Sequence, residues 1–303
     1  MLISLLFIIT LLSSMGIGKV IGIQFDIEPH SLKDWPIDAT NPKTPESRQK
    51  INYYGNSLIN LYKNISLLKF GNIKVEAVIP FQYQLINIDY INKTKILLSS
   101  GIQDVTDKII IMAYRTTSIE IYNLALPTIK YASKIKKKVT VAIETMNVQP
   151  SYISFYSYSN EYMQNVLSNT NNMIINLGNI TKGYIGQAIH DYPSINARKA
   201  VNYNITYGSL RAIYNWNPDI WLIESKRKPF IDSIIALKFN ALYLGIGNYI
   251  NNKKYWPILR AMVYYCNQVN IDIIMLFGNA NWTINHAPAI LSMNSFISFV
   301  KTL

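Results

Sequence analysis

Short apolar runs rich in β-branched residues alternate along the chain with longer segments of helical period. The short runs match buried strands, whereas an apolar residue at every third or fourth position is typical of amphipathic helices. The pattern predicts eight strands, at 19–28, 73–83, 108–114, 138–145, 184–190, 210–216, 241–247 and 271–278. It predicts helices near 45–69, 118–135, 160–176, 227–238, 255–269 and 287–301. The links over 84–107 and 191–209 have no clear pattern.

Strands that alternate with helices indicate parallel pairing through right-handed crossovers. Eight such units are the number that closes a (β/α)₈ barrel, the TIM barrel. The alternative is a doubly wound open sheet, which would carry a glycine-rich phosphate turn after an early strand. The segment "GIGNYINN" (245–252) is the one loose candidate, and it lacks the G-x-G-x-x-G spacing. We therefore predict an α/β fold with one (β/α)₈ barrel domain over 17–303.

The first predicted strand carries polar residues at every second position. In "KVIGIQFDIEPH" (19–30), Gln24, Asp26 and Glu28 share one face of a strand, because successive side chains point to opposite faces. In a barrel this face points into the lumen and climbs towards the C-terminal end, where barrel enzymes place their active sites. Buried polar side chains are costly unless they pair or function. An internal hydrogen-bonded network without catalysis is the alternative.

Other predicted strands also end in residues suited to chemistry. A sugar site needs flat aromatic faces for the pyranose rings and carboxylates for the glycosidic oxygen. Taken singly, a histidine here could be a buried structural residue, and a tryptophan could pack at the rim. Taken together, the predicted site residues beside Asp26 and Glu28 are Gln24, Tyr114, Arg115, Glu144, His190, Asp191, Trp216, Asn279 and Trp282.

Composition limits the classes of binding partner and cofactor that we predict for the chain. The chain has 303 residues and a net charge of +12, which would attract an acidic polymer or could simply follow from a composition rich in Lys, Asn, Ile and Tyr. The lysines are scattered apart from "KIKKK" at 134–138, and we find no nucleic-acid motif, so we predict no nucleic-acid partner. The single cysteine, Cys266, allows no intrachain disulfide. The three histidines show no paired ligand spacing, and we predict no metal and no cofactor.

The N-terminal segment "LISLLFIITLL" (2–12) is apolar and uncharged. It is shorter than the roughly 20 residues that a membrane span needs, and small residues follow it at 14 and 16, as in a signal peptide. We predict a cleaved signal peptide over 1–16 and a secreted, monomeric protein without a stable membrane span. An uncleaved N-terminal membrane anchor and a buried structural segment are the alternatives.

The segment "GIQFDIEP" resembles the D-G-x-D-x-D-x-E strand of glycoside hydrolase family 18. Gly22, Asp26 and Glu28 match this signature, whereas Ile21 and Gln24 stand where it has Asp. The tripeptide "MAY" (112–114) is similar to the Met-x-Tyr of a later strand of that family, with Arg115 in place of the usual Asp. The wider pattern is more similar to uncharacterised secreted bacterial relatives than to true chitinases.

The resemblance implies substrate-assisted hydrolysis of a glycan. Glu28 would protonate the leaving oxygen, and Asp26 would orient an acetamido group of the substrate with help from Tyr114. The residues alone support one part of this: two carboxylates close together on one face repel, so that the pKa of one of them should rise. The missing carboxylate at Gln24 puts a chitinase-like activity in doubt.

The order of the strands differs from that of the family, in which the acidic strand is the fourth. Here it comes first, and the last three strands resemble the opening of such barrels. We therefore predict a circularly permuted barrel with the family strand order 4-5-6-7-8-1-2-3, with 191–209 as the joint. A barrel has no edge strand and tolerates such a change. A misassembled gene product that folds poorly is the alternative.

Three hypotheses for function follow. The first is a glycosidase that cleaves a β-linked glycan, with or without N-acetyl groups, by acid catalysis from Glu28, with Asp26 as its partner. The second is a catalytically inactive barrel that binds glycans. The third is a metal-dependent phosphodiesterase that uses Asp26, Glu28 and His30.

Overall fold

Eight parallel strands form a closed barrel in the computed structural model, which describes residues 20–90, 94–197 and 210–303. The barrel strands are β1 (Val20–Phe25), β2 (Lys74–Pro80), β5 (Lys108–Met112), β6 (Lys138–Glu144), β7 (Tyr184–His190), β8 (Leu210–Asn215), β9 (Ala241–Gly245) and β10 (Asp272–Phe277). A separate two-stranded hairpin, β3 (Asn87–Asp89) and β4 (Lys95–Leu97), lies in the link after β2. The predicted (β/α)₈ barrel is confirmed, and the open doubly wound sheet is wrong.

The strands follow one another around the ring in chain order, and β10 pairs in parallel with β1 to close it. This closure of last strand on first is common to permuted and unpermuted barrels. The circular permutation therefore stays a prediction.

Helices surround the ring: α1 (Pro45–Leu68), α2 (Leu98–Val105), α3 (Ser118–Lys134), α4 (Asn160–Ile175), α5 (Tyr192–Ala197), α6 (Asp219–Leu222), α7 (Glu224–Ala236), α8 (Trp256–Gln268) and α9 (Ala287–Val300). The six predicted helices are present. Local signals explain where they begin: the Thr44 side chain accepts a hydrogen bond from the Ser47 backbone at the start of α1, where Pro45 needs no partner for its nitrogen. The link over 84–107 contains the hairpin and α2, and α5 begins the other link, of which 198–209 lie outside the described residues.

Two hydrophobic layers hold the barrel together. One lies between strands and helices and includes Ile23, Phe25 and Ile27, each at most 1% exposed. The other fills the lumen with alternate residues of the strands, such as Ala142, Ala188 and Ile274. The alternation of β1 therefore continues beyond its last paired residue, as the sequence predicts.

A buried polar network crosses the lumen below the site. Lys108 forms an ion pair with Glu76 at 3.0 Å and donates a hydrogen bond to the Tyr243 hydroxyl at 2.7 Å. The Tyr243 hydroxyl in turn donates to Glu76 at 2.9 Å. The ring of Tyr243 stacks on that of Tyr214 at 4.5 Å, and the Gln24 amide donates to the Tyr214 hydroxyl at 2.7 Å. These contacts satisfy the charges in the lumen and fix Gln24 beneath the end of β1.

Among the described residues, no helix is both long and apolar enough to cross a bilayer. The predicted signal peptide over 1–16 lies outside the described residues.

Candidate active site

The C-terminal end of the barrel, which we call the mouth, begins where β1 meets β10. The backbone of Asp26 donates a hydrogen bond to the carbonyl of Phe277 at 2.7 Å. Gly278 allows this approach, since a Cβ added there would lie 2.4 Å from the Asp26 carbonyl oxygen. Glu28 lies two residues after Asp26. Its carbonyl accepts a hydrogen bond from the backbone of Ser31 at 3.0 Å, in a 3₁₀ turn that starts at Pro29. The turn therefore holds Glu28 at the mouth, on the same side of the chain as Asp26.

Asp26 carries a strongly perturbed carboxyl group. Its pKa is raised from 3.8 to about 8, chiefly by burial and then by the charge of the neighbouring Glu28, while His190 works in the opposite direction. The Oδ1 atom of Asp26 is buried and has no hydrogen-bond partner among the described residues. A carboxyl group in this position is protonated at neutral pH and can donate a proton.

Glu144 and His190 form a second titratable pair at the ends of β6 and β7. Glu144 accepts hydrogen bonds from the backbones of Thr145 and Met146, both at 2.7 Å, and its other oxygen lies 2.8 Å from Nδ1 of His190. Burial opposes a charge on His190, but the hydrogen bond to Glu144 and nearby carboxylates outweigh it, so that the pKa of His190 is raised. The imidazolium therefore brings a positive charge close enough to oppose the shift at Asp26.

Carboxylates of both pairs act on the hydroxyl group of Tyr114. Burial raises the pKa of its hydroxyl far above the ordinary value, and the charges of Glu144, Asp26 and Glu28 raise it further. Tyr114 is therefore an uncharged hydrogen-bond donor at neutral pH. Predicted site residues from four separate strands act on one another here, although β1, β5, β6 and β7 lie far apart in sequence.

A small cleft of about 220 Å³ opens beside Asp26 and Glu28. Trp216, Asn279 and Gly278 line its other side. Trp216 is partly exposed, and its position depends on Gly245, where an added Cβ would lie 3.0 Å from the indole ring. Asn279 is exposed and caps the short helix after β10 by accepting a hydrogen bond from the backbone of Asn281.

A large cleft of about 620 Å³ also has Glu28 on its lining. Its lining includes Tyr114 and Arg115 and also residues that the sequence analysis did not place in the site, namely Trp35, Phe81 and Tyr83. These three lie outside the barrel strands or at their ends, so strand alternation gave no signal for them. Glu28 is therefore the carboxylate shared by both clefts.

His30 also lines the large cleft. Its ring lies 3.9 Å from the Glu28 carboxylate and 3.2 Å from the Tyr83 hydroxyl. Burial lowers the pKa of His30, although the charge of Glu28 partly opposes this. His30 is therefore neutral near pH 7.

The structure places three predicted site residues elsewhere. Trp282 is 6% exposed and packs its ring against Phe25 in the layer between strands and helices, so it offers no face to a sugar. Asp191 is 7% exposed and accepts hydrogen bonds from the backbone and hydroxyl of Ser194 at the start of α5. Gln24 is fully buried in the lumen network, below the two clefts.

Within 20–90, 94–197 and 210–303, no group of three His, Cys, Asp or Glu side chains is arranged to hold a metal ion. The hypothesis of a metal-dependent phosphodiesterase at Asp26, Glu28 and His30 therefore gains no support from the described residues.

No protein-family model matches the chain, and no curated protein matches it. Among the solved structures that are similar to it are two endoglucanases. One is a GH5-4 broad specificity endoglucanase from an uncultured bacterium, with a TM-score of 0.45 and 10% identity over 91% of this chain and 94% of that chain. The other is a GH5-4 broad specificity endoglucanase from Ruminococcus champanellensis with bound cellotriose, with a TM-score of 0.47 and 12% identity over 86% of this chain and 87% of that chain. Both belong to family 5 rather than family 18, and the likeness to a glycoside hydrolase barrel is one of architecture.

Proposed function

We propose that this chain hydrolyses a β-linked glycan by acid catalysis at the Asp26–Glu28 pair. The observation that carries the proposal is a half-buried Asp26, with its pKa raised to about 8, next to a Glu28 that opens into both clefts. Two carboxyl groups in different surroundings, one kept protonated and one accessible, are a recurrent arrangement in enzymes that cleave glycosidic bonds.

The two carboxyl groups hold one proton between them at neutral pH, because a second negative charge at this place is unfavourable. Asp26 holds this proton at rest and passes it to Glu28, which delivers it to the glycosidic oxygen as the bond to the anomeric carbon breaks. Asp26, left as a carboxylate, stabilises the positive charge that develops on the sugar. Water then supplies a hydroxyl group to the anomeric carbon, and its remaining proton returns to the pair.

Other residues of the mouth position the sugar in this proposal. Trp216 offers a partly exposed aromatic face beside Asp26, on which a pyranose ring can stack. Tyr114 donates a hydrogen bond to the substrate, for which an acetamido carbonyl is the acceptor that the family 18 resemblance implies. Glu144 and His190 act from below by setting the charge near Asp26.

The test compares the unsubstituted protein with Glu28→Gln and Asp26→Asn on chitohexaose and cellohexaose, with release of reducing ends as the measurement. We expect each substitution to lower kcat about 10²-fold to 10⁴-fold, with little change in the circular dichroism spectrum. Glu161→Gln, an exposed change at the start of α4, is the matched control. Unchanged activity in Glu28→Gln would remove the assignment.

A glycan-binding barrel without catalysis is the second candidate. It is favoured by Gln24, which stands where the family signature has a carboxylate and is held by Tyr214 in the lumen. Saturable binding of an oligosaccharide by the unsubstituted protein, with no product after long incubation, would decide for this candidate.

We also propose that the chain acts outside the cytoplasm after cleavage of its apolar leader, a proposal that rests on the sequence over 1–16. Mass spectrometry of the protein recovered from the culture medium of an expressing bacterium tests it. Retention of the full-length chain in the membrane fraction would favour the N-terminal anchor instead.

A further inference from the structure

Arg115 stands at the large cleft and has no role in the chemistry proposed above. It follows β5 directly after Tyr114, and its side chain is 21% exposed. A cationic side chain beside a candidate sugar site favours sugars that carry an acidic group.

The surroundings hold the guanidinium of Arg115 in place. Its central carbon lies 5.2 Å from the centre of the Phe81 ring and 5.1 Å from that of the Tyr152 ring, both within the range of cation–π contacts. One N–H group donates to the Tyr114 carbonyl at 2.7 Å. A side chain that is positioned in advance loses little entropy when it binds a ligand.

Most of the hydrogen-bonding capacity of Arg115 is still unused within the described residues. Of its five N–H donors, one makes the hydrogen bond to Tyr114. Glu120 is the nearest carboxylate, but its oxygen lies 3.9 Å from Nε and its side chain is 49% exposed, so water weakens the pair. The guanidinium group of Arg115 is therefore available to a planar acidic group, which it can bind through two parallel hydrogen bonds.

The charge of the cleft agrees with such a ligand. Apart from Glu28, the ionised side chains on its described lining are those of Lys33 and Arg115, and both are cationic. Trp35, Phe81 and Tyr83 supply apolar surface to the same lining. The cleft volume of about 620 Å³ lies within the ordinary range for ligand sites.

We propose that the large cleft binds a uronic acid of the glycan, with the sugar carboxylate on Arg115 and a neighbouring sugar at Glu28. The inference rests on the proposed function, because it takes the glycosidic bond to lie at Glu28. It assigns the substrate class as an acidic, β-linked glycan and makes Arg115 the residue that selects it.

The experiment measures binding by calorimetry, in the Glu28→Gln protein so that no substrate is consumed. The two probes are a hyaluronan hexasaccharide, which alternates glucuronate with N-acetylglucosamine, and chitohexaose, which is neutral. We expect hyaluronan to bind at least about tenfold more tightly at low salt, as a charge-assisted hydrogen-bonding pair predicts. Adding Arg115→Gln removes the preference, and Arg115→Lys keeps part of it. Arg260→Gln, the same change of charge at an exposed position on α8, leaves the preference intact.

Equal affinity for the two probes, no measurable binding of either, or a preference that survives in Arg115→Gln would overturn the inference. Thermal unfolding of the two Arg115 variants identifies a loss of folding, and Arg115→Lys then carries the comparison. Cleavage of chitohexaose without an Arg115-dependent preference removes this inference and keeps the proposed hydrolase. A preference that depends on Arg115, without cleavage of any glycan, removes the proposed hydrolase and keeps the uronic acid site.

Discussion

Replacing Asp26 with Asn tests the electrostatics of the candidate site through stability. The pKa of Asp26 is raised from 3.8 to about 8 in the folded protein. A raised pKa means that folding favours the protonated carboxyl group, so its contribution to stability is complete below pH 3.8 and is lost as the pH rises through about 8. Asn resembles the protonated form and avoids this loss. We therefore expect Asp26→Asn to gain stability relative to the unsubstituted protein as the pH rises from 4 to 9.

The size of the effect follows from the shift. At about 1.4 kcal/mol for each tenfold change in proton affinity, the full shift corresponds to about 6 kcal/mol. Because Asp26 borders the small cleft, where water screens its charge, we expect about 3 kcal/mol or more. The measurement is urea unfolding followed by tryptophan fluorescence at a series of pH values, with the difference between the two proteins taken at each pH so that other titrating groups cancel.

Asp232→Asn is the matched control, since the side chain of Asp232 is 55% exposed and its partner Lys228 is exposed as well. Its difference from the unsubstituted protein should stay within about 0.5 kcal/mol over the same range, as is usual for surface changes. A difference for Asp26→Asn that stays flat from pH 4 to 9 would mean that Asp26 titrates as an ordinary carboxylate. The proposal that the Asp26–Glu28 pair holds one proton at neutral pH would then be wrong.

Three further changes test other parts of the site. Gly278→Ala places a methyl group 2.4 Å from the Asp26 carbonyl oxygen and should cost about 1–3 kcal/mol in urea unfolding together with a loss of activity; an unchanged protein would contradict the close packing of β1 on the end of β10. Lys108→Met leaves Glu76 buried without its ion-pair partner and should cost about 3–5 kcal/mol, whereas Lys108→Met combined with Glu76→Gln should recover part of this, and no recovery would contradict the pairing. Trp216→Ala should raise KM for an oligosaccharide about tenfold, and an unchanged KM would exclude Trp216 as a stacking surface.

The barrel could be predicted from the sequence because each strand carries its own signal. A buried parallel strand is an apolar run of sufficient length, and all eight runs lie within the predicted ranges. The hairpin of Asn87–Asp89 and Lys95–Leu97 was missed because strands of three residues are too short to show alternation.

The site residues could be predicted where the alternation of a strand sets the direction of a side chain, and not elsewhere. Asp26, Glu144 and His190 follow the period of their strands and meet at the mouth. Trp282 follows a strand by several residues, and the 3₁₀ turn over Ala280–Thr283 directs it into the hydrophobic layer, which no periodicity signals. Lys108 opens a predicted strand and was given no role by the sequence analysis, but the barrel places it in the lumen beside Glu76.

The pairing of β1 with β10 sets when the candidate site can be completed during synthesis. A chain leaves the ribosome N-terminus first, so Asp26 and Glu28 emerge early, while Phe277 and Gly278, which pack around Asp26, emerge near the end. Until then one edge of β1 has no neighbour and can pair with other nascent chains. A chain truncated before β10 thus carries both carboxylates without the backbone that shields Asp26 from water, and fragments of this protein should be aggregation-prone and inactive.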